Sequence, residues 1–240
     1  MSVSSKSGEW LAGYDCVRVV GSFEELVSAR FGDGVNAFCW RRELEGDFEE
    51  IVDAIGEVGE ICSMGPEYLE GLELSEAGRL ARRRLIEDLE LLRRAGLEPS
   101  LDCIPAYPRD AEGELVPTDV YDFHADSATT LADTYLCSYT VAASEGLRNE
   151  DVVRYVDVPE IRAELLRRFG GADGDGFLAF LRERFYDLHY RAREGAAPYS
   201  FGFGNLWRIA TQCPGSPVRP CIHRAPTTRV GDPPRLLLIS

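Results

Sequence analysis

The chain has 240 residues, of which 45% are hydrophobic and 28% charged, so it has ample apolar material for a folded core. Its formal charge is −15, from 41 acidic against 26 basic residues. So anionic a surface argues against nucleic acid and anionic membrane as direct partners, because both require a cationic face. A small molecule or a basic peptide remains compatible with it. No run of 18 or more apolar residues is present, and the polar start lacks a signal core, so a soluble, cytoplasmic chain is expected. The seven cysteines are scattered without any Cys-x-x-Cys pair, which predicts reduced thiols and no structural zinc cluster.

The first 98 residues read as a mostly helical region packed on the rest. Ser22 and Asp47 each precede a carboxylate by three residues, the form of a capping box, and open short amphipathic helices. Between them, Val35–Trp40 has the texture of a buried strand. A longer helix is expected from Ser75 to Ala95, with Leu85, Ile86, Leu89 and Leu92 on one face and Gly96 as its stop.

From Pro99 the texture turns to β. Strands are expected over Cys103–Tyr107, Val116–Phe123 and Leu131–Ala142. A helical insert follows at about 151–197, with one helix over Pro159–Phe169 and a second over Gly176–Glu194. Strands return at Asn205–Ala210, Cys221–His223 and Arg235–Ile239. Helices, strands, a helical insert and strands again suit an α+β fold, an antiparallel double-sheet roll with helices outside it.

Only three histidines occur, at positions 124, 189 and 223. His124 and Asp126 are two apart, so on a strand both leave the same face. His223, about a hundred residues later, is the available third ligand. Two imidazoles and one carboxylate can hold one face of an octahedral ferrous ion and leave the other open. His189 lies among aromatics at helical spacing and reads as a packing residue. Asp173–Gly176 looks superficially like a calcium loop but lacks the closing Glu, and is read as a helix-entry turn. Arg235, twelve residues after His223, sits in an apolar strand, where a guanidinium is costly unless an anion meets it. Arg224 and Arg229 are its rivals for that role.

His124-Ala125-Asp126, the distant His223 and the following Arg235 resemble the iron(II)/2-oxoglutarate-dependent dioxygenase superfamily over roughly Pro99–Ser240. The resemblance implies a double-stranded β-helix (jelly-roll) core, Fe(II) as the metal, and 2-oxoglutarate and O2 as co-substrates. It implies metal ligation by His124, Asp126 and His223, and anchorage of the 2-oxoglutarate carboxylate by Arg235. A second co-substrate contact would come from Tyr121, Thr134, Tyr135 or Asn205. Arg224 and Trp207 are candidates to line the substrate site, and the insert lies where this superfamily often covers its substrate. Asp126 argues against the halogenating branch, which carries a small residue there. The activity expected is hydroxylation of a small molecule such as an amino acid or specialised metabolite. The alternatives are a peptide side-chain hydroxylase, which the acidic charge would suit, and a non-catalytic cupin-like metal-binding module.

Overall fold

The structure, a computed structural model of the chain, describes residues 11–229 and 231–240. The polar start at residues 1–8 lies outside them. In chain order the elements are β1 (Val17–Val20), α1 (Phe23–Ser28), β2 (Ala37–Trp40), α2 (Phe48–Ile55), β3 (Cys62–Met64), α3 (Pro66–Glu70) and α4 (Glu76–Arg94). Then come β4 (Ser100–Ile104), β5 (Phe123–His124), β6 (Asp133–Ser138), β7 (Glu145–Leu147), β8 (Val152–Arg154), α5 (Pro159–Phe169) and α6 (Asp175–Glu183). The chain finishes with β9 (His189–Ala192), β10 (Tyr199–Ser200), β11 (Leu206–Ala210), β12 (Ile222–Arg224) and β13 (Arg235–Ile239).

The strands form two sheets, making a mixed α/β fold. One has seven strands in the order β1-β2-β11-β6-β13-β4-β3, and the other six in the order β10-β7-β12-β5-β9-β8. Among the described residues, the paired strands run antiparallel except β1 with β2. Alternation along the strands sorts their side chains. In β13, Leu236 and Leu238 face the helical layer, whereas Leu237 joins a second cluster with Trp207, Ile209, Phe201 and Tyr199. That second cluster takes residues from both sheets, so it is the interior between them. Phe123, Ala125, Leu147, Val152, Tyr190 and Ile222 cover the opposite face of the six-stranded sheet.

The helices begin where the sequence places their caps. The Ser22 and Ser75 hydroxyls and the Asp47 carboxylate accept from the backbone N–H three residues on. α4 buries Leu85, Leu89 and Leu92 against the seven-stranded sheet, each worth roughly 2 kcal/mol of apolar transfer. It is also pinned by a buried polar cluster. Arg42 donates to both oxygens of Asp88 at 2.5 and 2.9 Å, and the Tyr139 hydroxyl adds a third bond at 2.6 Å.

Several stretches differ from the sequence expectation: β1 and β3 stand in the region read as mostly helical, the strand expected over Cys103–Tyr107 is Ser100–Ile104, and two further differences bear on the site. Residues 116–122 are loop rather than strand, because carboxylates capture the backbone first. Asp110 accepts from the N–H groups of Thr118 and Asp119, and Asp119 accepts from those of Asp110 and Tyr121. The second insert helix stops at Glu183. Phe185 adopts a left-handed backbone (φ 57°), and His189–Ala192 becomes β9, pairing with β5 and β8. The apolar spacing there fits a helix, but two available sheet edges override it. The insert therefore adds two strands to the sheet, while α5 and α6 build a small core of their own around Phe177, Leu165 and Leu181.

No helix among the described residues is long and apolar enough to cross a membrane. All seven cysteines are free thiols.

Candidate metal centre

β5 and β12 are neighbours, and His124 stands directly opposite His223 in their register. Directly opposed residues share a face, so residues far apart in the chain bring two imidazoles together, with ring centroids 4.6 Å apart. Asp126, two residues past His124, completes the group. One ligand atom from each of the three side chains lies within 4.8 Å of the others. Asp126 Oδ1 is 3.8 Å from His124 Nε2, and its Oδ2 is 3.7 Å from His223 Nε2. These gaps exceed a hydrogen bond. They are under an ångström wider than the roughly 3 Å separating adjacent ligand atoms on one ion with bonds of about 2.1 Å.

Each ligand is oriented from behind. His124 Nδ1 donates to the Asp122 carbonyl (2.9 Å), which fixes the ring and leaves the Nε2 lone pair facing the centre. The Thr134 hydroxyl donates to Asp126 Oδ2 at 2.6 Å. His223 Nδ1 is buried without a partner among the described residues. Burial, aided by the neighbouring His223, pushes the His124 imidazole down to about 4. Burial opposes ionisation of Asp126, but His223, His124 and the Thr134 hydroxyl outweigh it and lower its pKa. A neutral imidazole beside an ionised carboxylate is the state a divalent cation requires.

Two expected results follow. Thr134→Val should weaken divalent-metal affinity by about 10- to 100-fold through a looser Asp126, without loss of fold, measurable by competitive metal titration. The second concerns acid stability of the metal-free protein. The unfolded His124 takes its proton near 6.5 and the folded one only near 4, so between these values the unfolded state binds more protons. The His124 contribution is therefore complete above pH 6.5 and is lost as pH falls towards 4. That loss is on the order of 3 kcal/mol. Urea midpoints at pH 7 and 4.5 would measure it, and His124→Gln should flatten the dependence.

Arg235 opens β13 and is 3% exposed. Its Nη2 donates to the hydroxyls of Ser138 (2.8 Å) and Ser144 (2.7 Å). The Tyr107 hydroxyl also engages it. Its Nε is buried without a partner, and no carboxylate pairs with it among the described residues. Burial opposes its charge and lowers its pKa, with Tyr107 acting the other way. Since Ser138 ends β6 and Ser144 precedes β7, this guanidinium lies between the two sheets. β6 thus serves both centres: Thr134 holds Asp126, and Ser138, on the same strand face, holds Arg235.

The remaining sequence candidates lie elsewhere or have other partners. The Tyr121 hydroxyl accepts from the Tyr107 N–H and meets Thr228, supporting the loop that carries Tyr107. Thr134 donates to Asp126 of the candidate His-Asp-His group. Tyr135 faces the helical layer. The Asn205 side chain bonds the Phe201 carbonyl and the Arg42 N–H. Trp207 is fully buried and stacks on Phe201 (4.2 Å), which separates it from His223. Arg224 faces away from the cluster, over the Phe123 ring and paired with Glu145 at 2.7 Å.

Tyr107, Ser138 and Ser144, which meet the Arg235 guanidinium, were not singled out in the sequence. For Ser138 a signal existed, the alternation Thr134, Leu136, Ser138 on one strand face. Tyr107 and Ser144 lie at loop positions that pattern does not reach.

The chain matches no protein-family model, no curated protein and no solved structure.

Proposed function

We propose that this chain is a non-haem iron(II) dioxygenase that uses 2-oxoglutarate to hydroxylate a small molecule, such as an amino acid or specialised metabolite. One observation carries the reading. A cluster of two imidazoles and a carboxylate shares the interior with a buried guanidinium that has no acidic partner among the described residues, and a single strand braces both. A buried cation without a counter-ion is costly, and a ligand carboxylate would relieve it.

The strand connectivity supports a double-stranded β-helix, or jelly roll. β4, β13, β6 and β11 are neighbours in one sheet, and β5, β12, β7 and β10 in the other. Taken in chain order, these eight strands change sheet at every step except from β7 to β10. Such a roll would place His124, Asp126 and His223 on one sheet and Arg235 on the facing one.

His124, Asp126 and His223 would hold the ferrous ion by one face and leave the opposite face open. When bound, iron and 2-oxoglutarate supply the oxidation, in which O2 and the 2-oxo acid give succinate, carbon dioxide and one oxygen atom inserted into the substrate. The protein's own work is orientation and exclusion of water. Arg235 would meet the distal carboxylate through its planar fork, with the Tyr107, Ser138 and Ser144 hydroxyls fixing the guanidinium. Thr134 would keep one Asp126 oxygen occupied and so fix which oxygen faces the ion.

A basic peptide is the second reading of the substrate. It is favoured by two adjoining pockets beside α2 that share Val52 and Asp53, one lined also by Glu49 and Val141 and the other by Glu57, Val58 and Asp232.

Anaerobic addition of Fe(II) and 2-oxoglutarate should produce a weak visible charge-transfer band, and admission of air should release succinate. A protein shown to bind both yet giving no band rules the reading out.

A further inference from the structure

His189, the third histidine, is not one of the three ligands, yet it stands beside them. β9 pairs with β5 so that His189 lies directly opposite His124, and β12 pairs on the other side with His223 opposite the same residue. All three imidazoles therefore form one row across three neighbouring strands on a common face. The His189 ring centroid lies 5.8 Å from that of His124. The three ligand atoms gather without it, so it flanks the metal position.

Its orientation is fixed. His189 is 5% exposed, and its Nδ1 lies 2.8 Å from the Phe185 carbonyl. A carbonyl only accepts, so Nδ1 carries the proton and Nε2 the lone pair. Phe185 supplies this carbonyl from a left-handed backbone, a conformation costing about 1–2 kcal/mol in a non-glycine residue. Nε2 has no protein partner among the described residues and, unlike His223 Nδ1, is not sealed from solvent.

A second acceptor sits just before β5. Asp122 is half-buried, its carbonyl lies 2.9 Å from His124 Nδ1, and its carboxylate is felt electrostatically at His189. Its carboxylate has one side-chain partner among the described residues, the Tyr155 hydroxyl at a long 3.5 Å. Arg224 also acts on Asp122 electrostatically but is bonded to Glu145. Asp110, the other acid felt at His189, has its carboxylate taken up by Thr118 and Asp119.

We propose that His189 Nε2 and the Asp122 carboxylate form an amine subsite beside the metal position, receiving a protonated primary amine of the substrate. An ammonium carries three donors and no acceptor, which complements two acceptors that lack a cationic partner. The inference deepens the function proposed above: it narrows the small molecule to one bearing an amine. It rests on that reading only for its placement next to a metal.

The test uses butylamine, 1,4-diaminobutane and L-lysine as probes, against butan-1-ol and hexanoate. Saturation-transfer NMR on metal-free protein should show the amines binding and the alcohol and acid not binding. Loading with Mn(II) should then broaden the amine signals. His189→Leu should weaken amine binding by about tenfold or more, the loss of one hydrogen bond to a charged group. His189→Gln keeps an acceptor and should stay within about threefold of wild type. Metal affinity should be equal in all three. Should His189→Leu not fold, Asp122→Asn is expected to show the same tenfold loss, since only the Asp122 backbone supports His124.

Several results would overturn the proposal: no amine binding to wild type, equal amine binding by wild type and the Leu variant, or alcohol binding as well as amine. Saturation transfer without broadening in Mn(II)-loaded protein would place the amine elsewhere. A fall in metal affinity in His189→Leu would make the residue part of the metal shell and would equally overturn it. Failure of wild type to bind Mn(II) would instead refute the metal-site reading, and the metal-free measurements would still decide the amine subsite.

Discussion

His223→Ala is expected to lose divalent-metal binding by more than about 100-fold while remaining folded. Removing an outer partner of a metal ligand costs about 10- to 100-fold, and removing the ligand itself should exceed that. The remaining pair, His124 and Asp126, comes from one strand and its following residue and offers only two donors. The structural cost should be small. His223 is 8% exposed and keeps a buried nitrogen without a partner, so its loss relieves one unsatisfied polar group while opening a modest cavity. Metal analysis after dialysis, with circular dichroism as the folding control, decides the matter. Retained one-to-one metal in the folded variant would mean that the three side chains do not form the centre.

Arg235→Met is expected to separate stability from ligand binding. Among the described residues the guanidinium is buried with hydroxyl partners alone, and replacing such a charge by an apolar side chain of similar length is often neutral or stabilising by about 1–4 kcal/mol. Thermal unfolding of the variant should therefore be unchanged or shifted upward. Binding of 2-oxoglutarate should fall by about 100-fold or more, the loss of a two-point charged contact. Metal affinity should not move, since Arg235 touches none of the three ligands. Arg235→Lys should recover only part of the affinity, because an ammonium is not a planar fork. A variant that loses several kcal/mol of stability but binds 2-oxoglutarate normally would make Arg235 a structural residue.

The legible parts of the sequence were those governed by local rules. Ser22, Asp47 and Ser75 cap helices where spacing and chemistry placed them, and β13 spans the stretch expected of it. That His124 and Asp126 share a face was also readable from a period of two, whereas His223 was reached only as the available third histidine, and the β5–β12 pairing that brings it opposite His124 is not written in local spacing. What escaped was decided by competition between elements. Residues 185–192 carry apolar spacing that fits a helix equally well, and only the edges of β5 and β8 resolve it in favour of a strand. That single misreading put His189 on a helix rather than on the strand beside His124. Residues 116–122 escaped because side-chain carboxylates, invisible to hydrophobic patterning, took the N–H groups a strand would have needed.

The seven-stranded sheet has a consequence for any attempt to shorten the protein. Its β1 and β2 flank β11 on one side, and β3 flanks β4 on the other. A chain cut before Pro99 would bare the hydrogen-bonding groups of β11 and β4 and uncover Leu236 and Leu238. Open rims of that kind recruit other chains. The shortened protein should self-associate even with every residue of the metal cluster still in place.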